Sequence, residues 1–108
     1  MNIIYHHDAA AGRWKTFSLF EQMGHIGSEI SRARRWQNID QRLFDNAVER
    51  ALELFDLTME DKRWRGGHLR ELARARELFC NAAFKGGLYQ CSLEELQSYF
   101  DDFAFLVK

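Results

Sequence analysis

The 108 residues contain no proline. Chains of strands and turns rarely do without it, whereas helices lose nothing, because proline removes a backbone donor and clashes with the preceding turn. Cysteine is nearly as scarce. Cys80 and Cys91 form no CxxC and supply neither a disulfide framework nor a zinc site, so they read as ordinary reduced thiols. No window approaches the roughly 20 apolar residues of a membrane span. The start, MNIIYHHDAAAGRW, has no basic stretch leading into an apolar run, so no signal peptide is expected. Charge of one sign is not in excess either. The formal net charge is −1, which excludes nucleic-acid affinity driven by overall charge and leaves only a local patch to supply it. These absences leave a soluble cytoplasmic protein with no membrane association.

What is present is apolar and periodic. Residues of the hydrophobic class make up 46%, too many for a disordered chain, and the length suits one domain with a real core. The clearest stretch runs from Asn38 to Asp61. Phe44, Ala47, Val48, Ala51, Leu52, Phe55 and Met59 recur there at steps of three and four, one apolar face of a helix. Asp45, Glu49, Glu53, Asp56 and Glu60 fall on the opposite face as an acidic, water-facing stripe, which a basic partner protein would relieve. Asn38 is the expected cap, with Gln41 as its reciprocal partner.

Three further helices frame that stretch. The first is predicted from about Thr16 to Trp36, with Leu19, Met23, Ile26, Ile30 and Ala33 as its seam. Beside the seam lie Gly24, Gly27, Ser28 and Ser31, a strip with almost no side-chain volume. Interior glycines cost a helix about 1 kcal/mol each relative to alanine, so the strip should serve close approach of another helix, or else a dimer face or ligand slot. Glu21, His25 and Glu29 share another face at a spacing that could hold a metal, but they read as a solvated charged side, and no metal or cofactor is expected. Arg34 lies close to the seam and is expected to snorkel to water. The next helix spans about His68 to Phe84, with Leu69, Leu72, Ala75, Phe79 and Ala83 inward and Arg76 placed to meet a carboxylate. Gly86 and Gly87 should end it in a left-handed cap. Ser92 to Glu95 is a capping box opening the last helix, whose seam is Leu93, Leu96, Phe100, Phe103 and Val107. Residues 1–12 show no periodicity and read as an N-terminal arm, in which His6, His7 and Asp8 are a solvated end. Residues 13–108 read as a single all-α domain, an antiparallel up-down-up-down four-helix bundle.

That topology gathers residues from distant parts of the chain. Arg13, Trp14, Lys15, Lys62, Arg63, Trp64, Arg65 and His68 would meet at one pole, with Gly66 and Gly67 leaving the backbone uncovered before the third helix. Arginine forks, indole faces and helix N-termini together suit a phosphate, a nucleotide or a single-stranded RNA end. The plainer reading is that the tryptophans lid the bundle and the glycines turn the chain. A second candidate surface is apolar. Leu43, Leu54 and Leu57, with Leu78 and Phe84, widen the helix faces beyond one seam, and nine phenylalanines with three tryptophans are many for a small bundle. Surplus of that kind favours a subunit interface, with a homodimer as the preferred state.

The wording GHIGSEISRARRW (24–36), AVERALELFDLT (47–58) and LRELARARELFC (69–80) resembles small prokaryotic all-α proteins. More loosely it is similar to the HEPN and nucleotidyltransferase-partner four-helix bundles. HEPN ribonucleases resemble one another in an Arg-x4-6-His element facing the RNA, and Arg63 with His68 matches that spacing. The resemblance implies RNA binding or cleavage by that pair. In this chain Trp64 stands where a polar residue normally follows the arginine, and the pair precedes the third helix rather than the last. The residues themselves show no nucleophile–base pair, so the expectation is a non-catalytic binding or accessory module, self-associating and engaged in protein–protein interaction. The alternative is a HEPN-like RNA-binding or RNA-cleaving protein.

Overall fold

A computed structural model describes residues 12–84 and 92–108, which hold a 3-10 turn, Arg13–Thr16, and four α-helices. These are α1 (Leu19–Trp36), α2 (Gln41–Met59), α3 (Gly66–Phe84) and α4 (Leu93–Leu106). The described residues include no strand. The expected arm, apart from Gly12, and the Gly86–Gly87 cap lie outside the described residues, as does Cys91. No helix among the described residues is long and apolar enough to cross a membrane.

Three helix starts differ from the sequence expectation, and at one of them α3 opens at Gly66, so that Gly66 and Gly67, expected before it, are its first two residues. α1 opens at Leu19, not near Thr16, because Ser18 and Glu21 form a capping box. The Glu21 N–H donates to Ser18 Oγ at 3.0 Å and the Ser18 N–H donates to Glu21 Oε1 at 2.9 Å. α2 is capped by Asp40, whose carboxylate accepts from the Leu43 N–H at 3.0 Å. Asn38, expected in that role, has φ of 64° and instead turns the chain after α1. Asparagine tolerates the left-handed region and is at home just past a helix end. Gln41 is likewise diverted and donates to Asp45 Oδ1 at 2.7 Å. Ser92 caps α4 as expected, accepting from the Glu95 N–H at 3.1 Å.

α1 packs on α2 and α4, and α3 on the same two helices, so the four close around one core. Met23, Ile26, Ile30 and Ala33 meet Ala47, Val48, Ala51 and Phe55 there, with Leu72, Phe79, Leu96 and Phe100 completing it. Phe55 is the hub, with ring centroids 5.9 Å from Phe79 and 5.8 Å from Phe100. The buried face of α2 is rotated slightly from the one expected. Leu54, assigned to an exposed apolar flank, is buried, while Leu43, Leu52, Leu57 and Met59 are half-buried.

Polar contacts tie helix to helix on the outside. Arg76 Nε donates to Asp56 Oδ1 at 2.9 Å, the pairing expected for it, and Gln97 Nε2 donates to the Gly27 carbonyl at 3.2 Å. The Tyr99 hydroxyl donates to Glu71. Burial, and after it the bond to Glu71, pushes that phenol up to about 12, so the donor keeps its proton at neutral pH.

The strip of small residues on α1 is not the tight crossing expected. Only Gly27 faces a neighbour, and a Cβ there would lie 3.8 Å from Gln97 Nε2 and the Phe100 ring, an ordinary contact. A Cβ at Gly24 would meet nothing within 4 Å, and Ser28 and Ser31 are exposed.

Because Phe55 touches rings from two other helices, Phe55→Ala should lower unfolding stability by about 3–5 kcal/mol through the cavity it leaves. Urea denaturation followed by circular dichroism measures this, and wild-type stability in the variant would place the core elsewhere.

Candidate functional site: a basic pole over a buried polar knot

The 3-10 turn exists because Trp14 enters the core beneath it. Its ring is buried, and Nε1 donates to Thr58 Oγ1 at 2.9 Å. The Thr58 hydroxyl in turn donates to the Leu54 carbonyl at 2.7 Å, so neither polar group is left unsatisfied. Trp64, from the α2–α3 connector, is buried as well, and its Nε1 donates to Gln22 Oε1 at 2.7 Å. Gln22 is fully buried on α1 and sits between the two tryptophans. Its amide nitrogen donates to the Trp14 carbonyl and to Asp61 Oδ2, both at 3.0 Å.

Asp61 passes the network to the surface. Arg63 donates to it from the backbone N–H at 3.0 Å, from Nε at 3.2 Å and from Nη2 at 2.8 Å. The same Nη2 reaches the carbonyls of Lys15 at 3.2 Å and Phe17 at 2.6 Å. One guanidinium thus ties the connector to the C-terminal half of the 3-10 turn and to the residue that follows it. The Arg63 fork, followed by its backbone N–H and the Gln22 amide, holds the Asp61 carboxyl down to about 2, although burial works in the opposite direction. The pairing also raises the Arg63 pKa.

The predicted cluster is therefore brought together but divided in depth. Trp14 and Trp64 lie inside the fold with their N–H groups engaged, in keeping with the plainer reading of them as lids and not with open indole faces for a ligand. Arg63 directs its Nε and Nη2 inward, toward Asp61 and the two carbonyls. Arg13, Lys62, Arg65 and His68 are exposed around them, as are Gly66 and Gly67, and Lys15 joins them from the turn. Gly66 has φ of 57°, a conformation that favours glycine, and it lets the connector enter α3 directly. His68 lies edge-on to Phe103, centroids 6.4 Å apart, and no hydrogen bond joins it to Arg63 among the described residues.

Sequence reasoning missed Gln22, Thr58 and Asp61. Gln22 carried a signal, since it stands four residues before Ile26 on the inward side of α1. Thr58 likewise follows Leu54 and Phe55 at helical spacing. Asp61 lowers the positive charge of the pole through its pairing with Arg63.

The face given to Glu21, His25 and Glu29 departs from expectation at one position, since Glu21 and His25 are exposed. Glu29 is buried rather than solvated, with Oε1 accepting from Arg32 Nη1 at 3.1 Å. His25 rests against Phe17 and Trp14, at 4.8 and 5.5 Å between centroids. Among the described residues no group of three or more His, Cys, Asp or Glu side chains could hold a metal. Burial pushes the Cys80 thiol up, which disfavours the reactive thiolate.

Comparison with known protein families, with curated proteins and with solved structures found no match for the chain.

Asp61→Asn keeps the shape of the knot and removes the charge facing Arg63. It should cost about 1–3 kcal/mol, the usual loss when a buried charged partner is removed. The sign of the pH effect follows from the lowered pKa. The wild type should lose the Asp61 contribution as pH falls from about 3.8 to about 2. Thermal unfolding across that window should show a shallower pH slope in the variant, and equal slopes would deny Asp61 this part.

Proposed function

We propose that the chain is a non-catalytic, cytoplasmic helical module that acts by binding and associates with itself, built as an antiparallel up-down-up-down bundle. Support for the arrangement comes from contacts at the helix ends. Phe20 near the start of α1 lies 5.9 Å from Phe105 near the end of α4, and Trp64 just before α3 lies 5.9 Å from Phe103. At the other end Gln37 donates to the Ala82 carbonyl at 3.4 Å.

The observation that carries self-association is apolar exposure. Ile39, Phe84, Phe105 and Leu106 are 74%, 61%, 65% and 75% exposed, in a domain whose core is already filled by other side chains. Phe105 and Leu106 adjoin at the close of α4, and exposed apolar side chains that adjoin mark association sites more often than isolated ones do. Light scattering coupled to gel filtration should show mass rising above that of one chain as concentration increases through tens of micromolar. A constant single-chain mass would refute self-association.

A second reading is favoured by the basic pole. Arg13 and Lys15 on the turn and Lys62, Arg65 and His68 beyond α2 are exposed around the knot, a basic surface that a HEPN-like protein would use for RNA backbone binding or cleavage. Binding of a short single-stranded RNA should then fall steeply with salt. Lys62→Ala/Arg65→Ala should weaken it several-fold without unfolding the protein, and Arg63→Ala/His68→Ala should abolish any cleavage. RNA left intact and unbound by the wild type at low salt would retire this reading.

A further inference from the structure

The self-association reading leaves open which surface joins the copies, and the close of α4 carries a pattern that answers it. Leu96, Phe100 and Phe103 turn the inner side of this helix to the core, so Phe105 stands on the outer side. Phe20 of α1 lies beside it. Lys108 Nζ sits 5.4 Å from the Phe20 centroid and 5.8 Å from that of Phe105. About one turn before Phe105 come Asp101, which accepts from Gln97 Nε2 at 3.5 Å, and Asp102, both exposed. Lys108 follows about one turn after it. In sequence the order at the close of α4 is acid, aromatic, base, with Lys108 just past the helix end and its ammonium folded back over the two rings.

Such an order is complementary to its own reversal. We propose that a second copy docks antiparallel on this face, about a twofold axis close to Phe105. The Phe105 and Phe20 rings then meet their equivalents, and Lys108 of each copy lies against Asp101 and Asp102 of the other. A twofold contact uses the same patch twice, so each attraction is duplicated.

The turn bearing Ile39, the competing apolar site, lacks this property. It lies between Arg34 and Arg35 on one side and Arg42 on the other, and Asp40 is engaged as the cap of α2. A twofold there would set arginine against arginine. The α4 patch is small beside the roughly 800 Å² per partner of a standard interface, so the dimer is weak and sensitive to salt.

The proposal rests on the self-association reading and fails separately from it. Sedimentation equilibrium on the wild type, Lys108→Asp, Asp101→Lys/Asp102→Lys and the triple variant combining them decides between the two. Each partial variant should raise the dimer dissociation constant about tenfold at low salt, as like charges replace exposed pairs. The triple variant should return to within about threefold of wild type, which mere surface damage would not produce. Phe105→Cys in a Cys80→Ser/Cys91→Ser background should form a disulfide-linked dimer on mild oxidation, a readout that needs no charge change. A monomeric wild type overturns self-association itself. A dimer indifferent to all the charge variants, or a triple variant as weak as the partial ones, overturns this surface.

Discussion

The hydrogen bonds of one buried amide set the layout of the pole. Gln22 has no exposure, yet its oxygen accepts from Trp64 and its nitrogen donates to Trp14 and Asp61. A primary amide buried without partners would cost several kcal/mol, so the segments before α1 and after α2 must both approach α1 if Gln22 is to be buried at all. Each brings a tryptophan, whose ring excludes water and whose N–H needs an acceptor. Asp61 and Arg63 then close the network at the surface, where a carboxylate can keep its charge because a guanidinium faces it.

The core was legible in the sequence and the boundaries much less so. The apolar seams of all four helices were found from spacing alone, because an apolar face leaves the same mark in any helix that must bury it. Asn38 and Asp40 show where this reasoning stops. Both residue types cap helices, and both stand just before the apolar run. Only the three-dimensional turn decides that asparagine takes the left-handed position while aspartate caps α2. Ser18 and Glu21 did carry a capping signal, but it lay inside a longer stretch compatible with helix. Glu29 was misread for a related reason: glutamate at the edge of a seam reads as solvated, and spacing alone does not show that it is buried.

The candidate site divides along the same line. That Arg13, Trp14, Lys62 and Trp64 should share a pole followed from topology, and contacts at that pole bring their segments together. Which side chains face outward did not follow. The aromatic and arginine content that made the pole resemble a nucleic-acid site is largely spent on holding it closed. The small-residue strip of α1 shows the converse, since residues read as evidence of tight packing are mostly open to solvent.

This division bears on what chemistry the pole can support. Catalysis and tight anion recognition depend on donors fixed in place and aimed at the ligand before it arrives. Here the fixed donors, the two indole N–H groups and Nε and Nη2 of Arg63, are aimed at acceptors within the fold. The side chains facing water are basic, and Arg13, Lys15, Lys62 and Arg65 are borne on a short turn and a connector. A surface of that kind attracts polyanions broadly and releases them readily in salt. It is poorly suited to holding a scissile bond in register. The same knot that makes this pole stable therefore weighs against an enzyme centred on Arg63, and it directs attention to the outer faces of the helices.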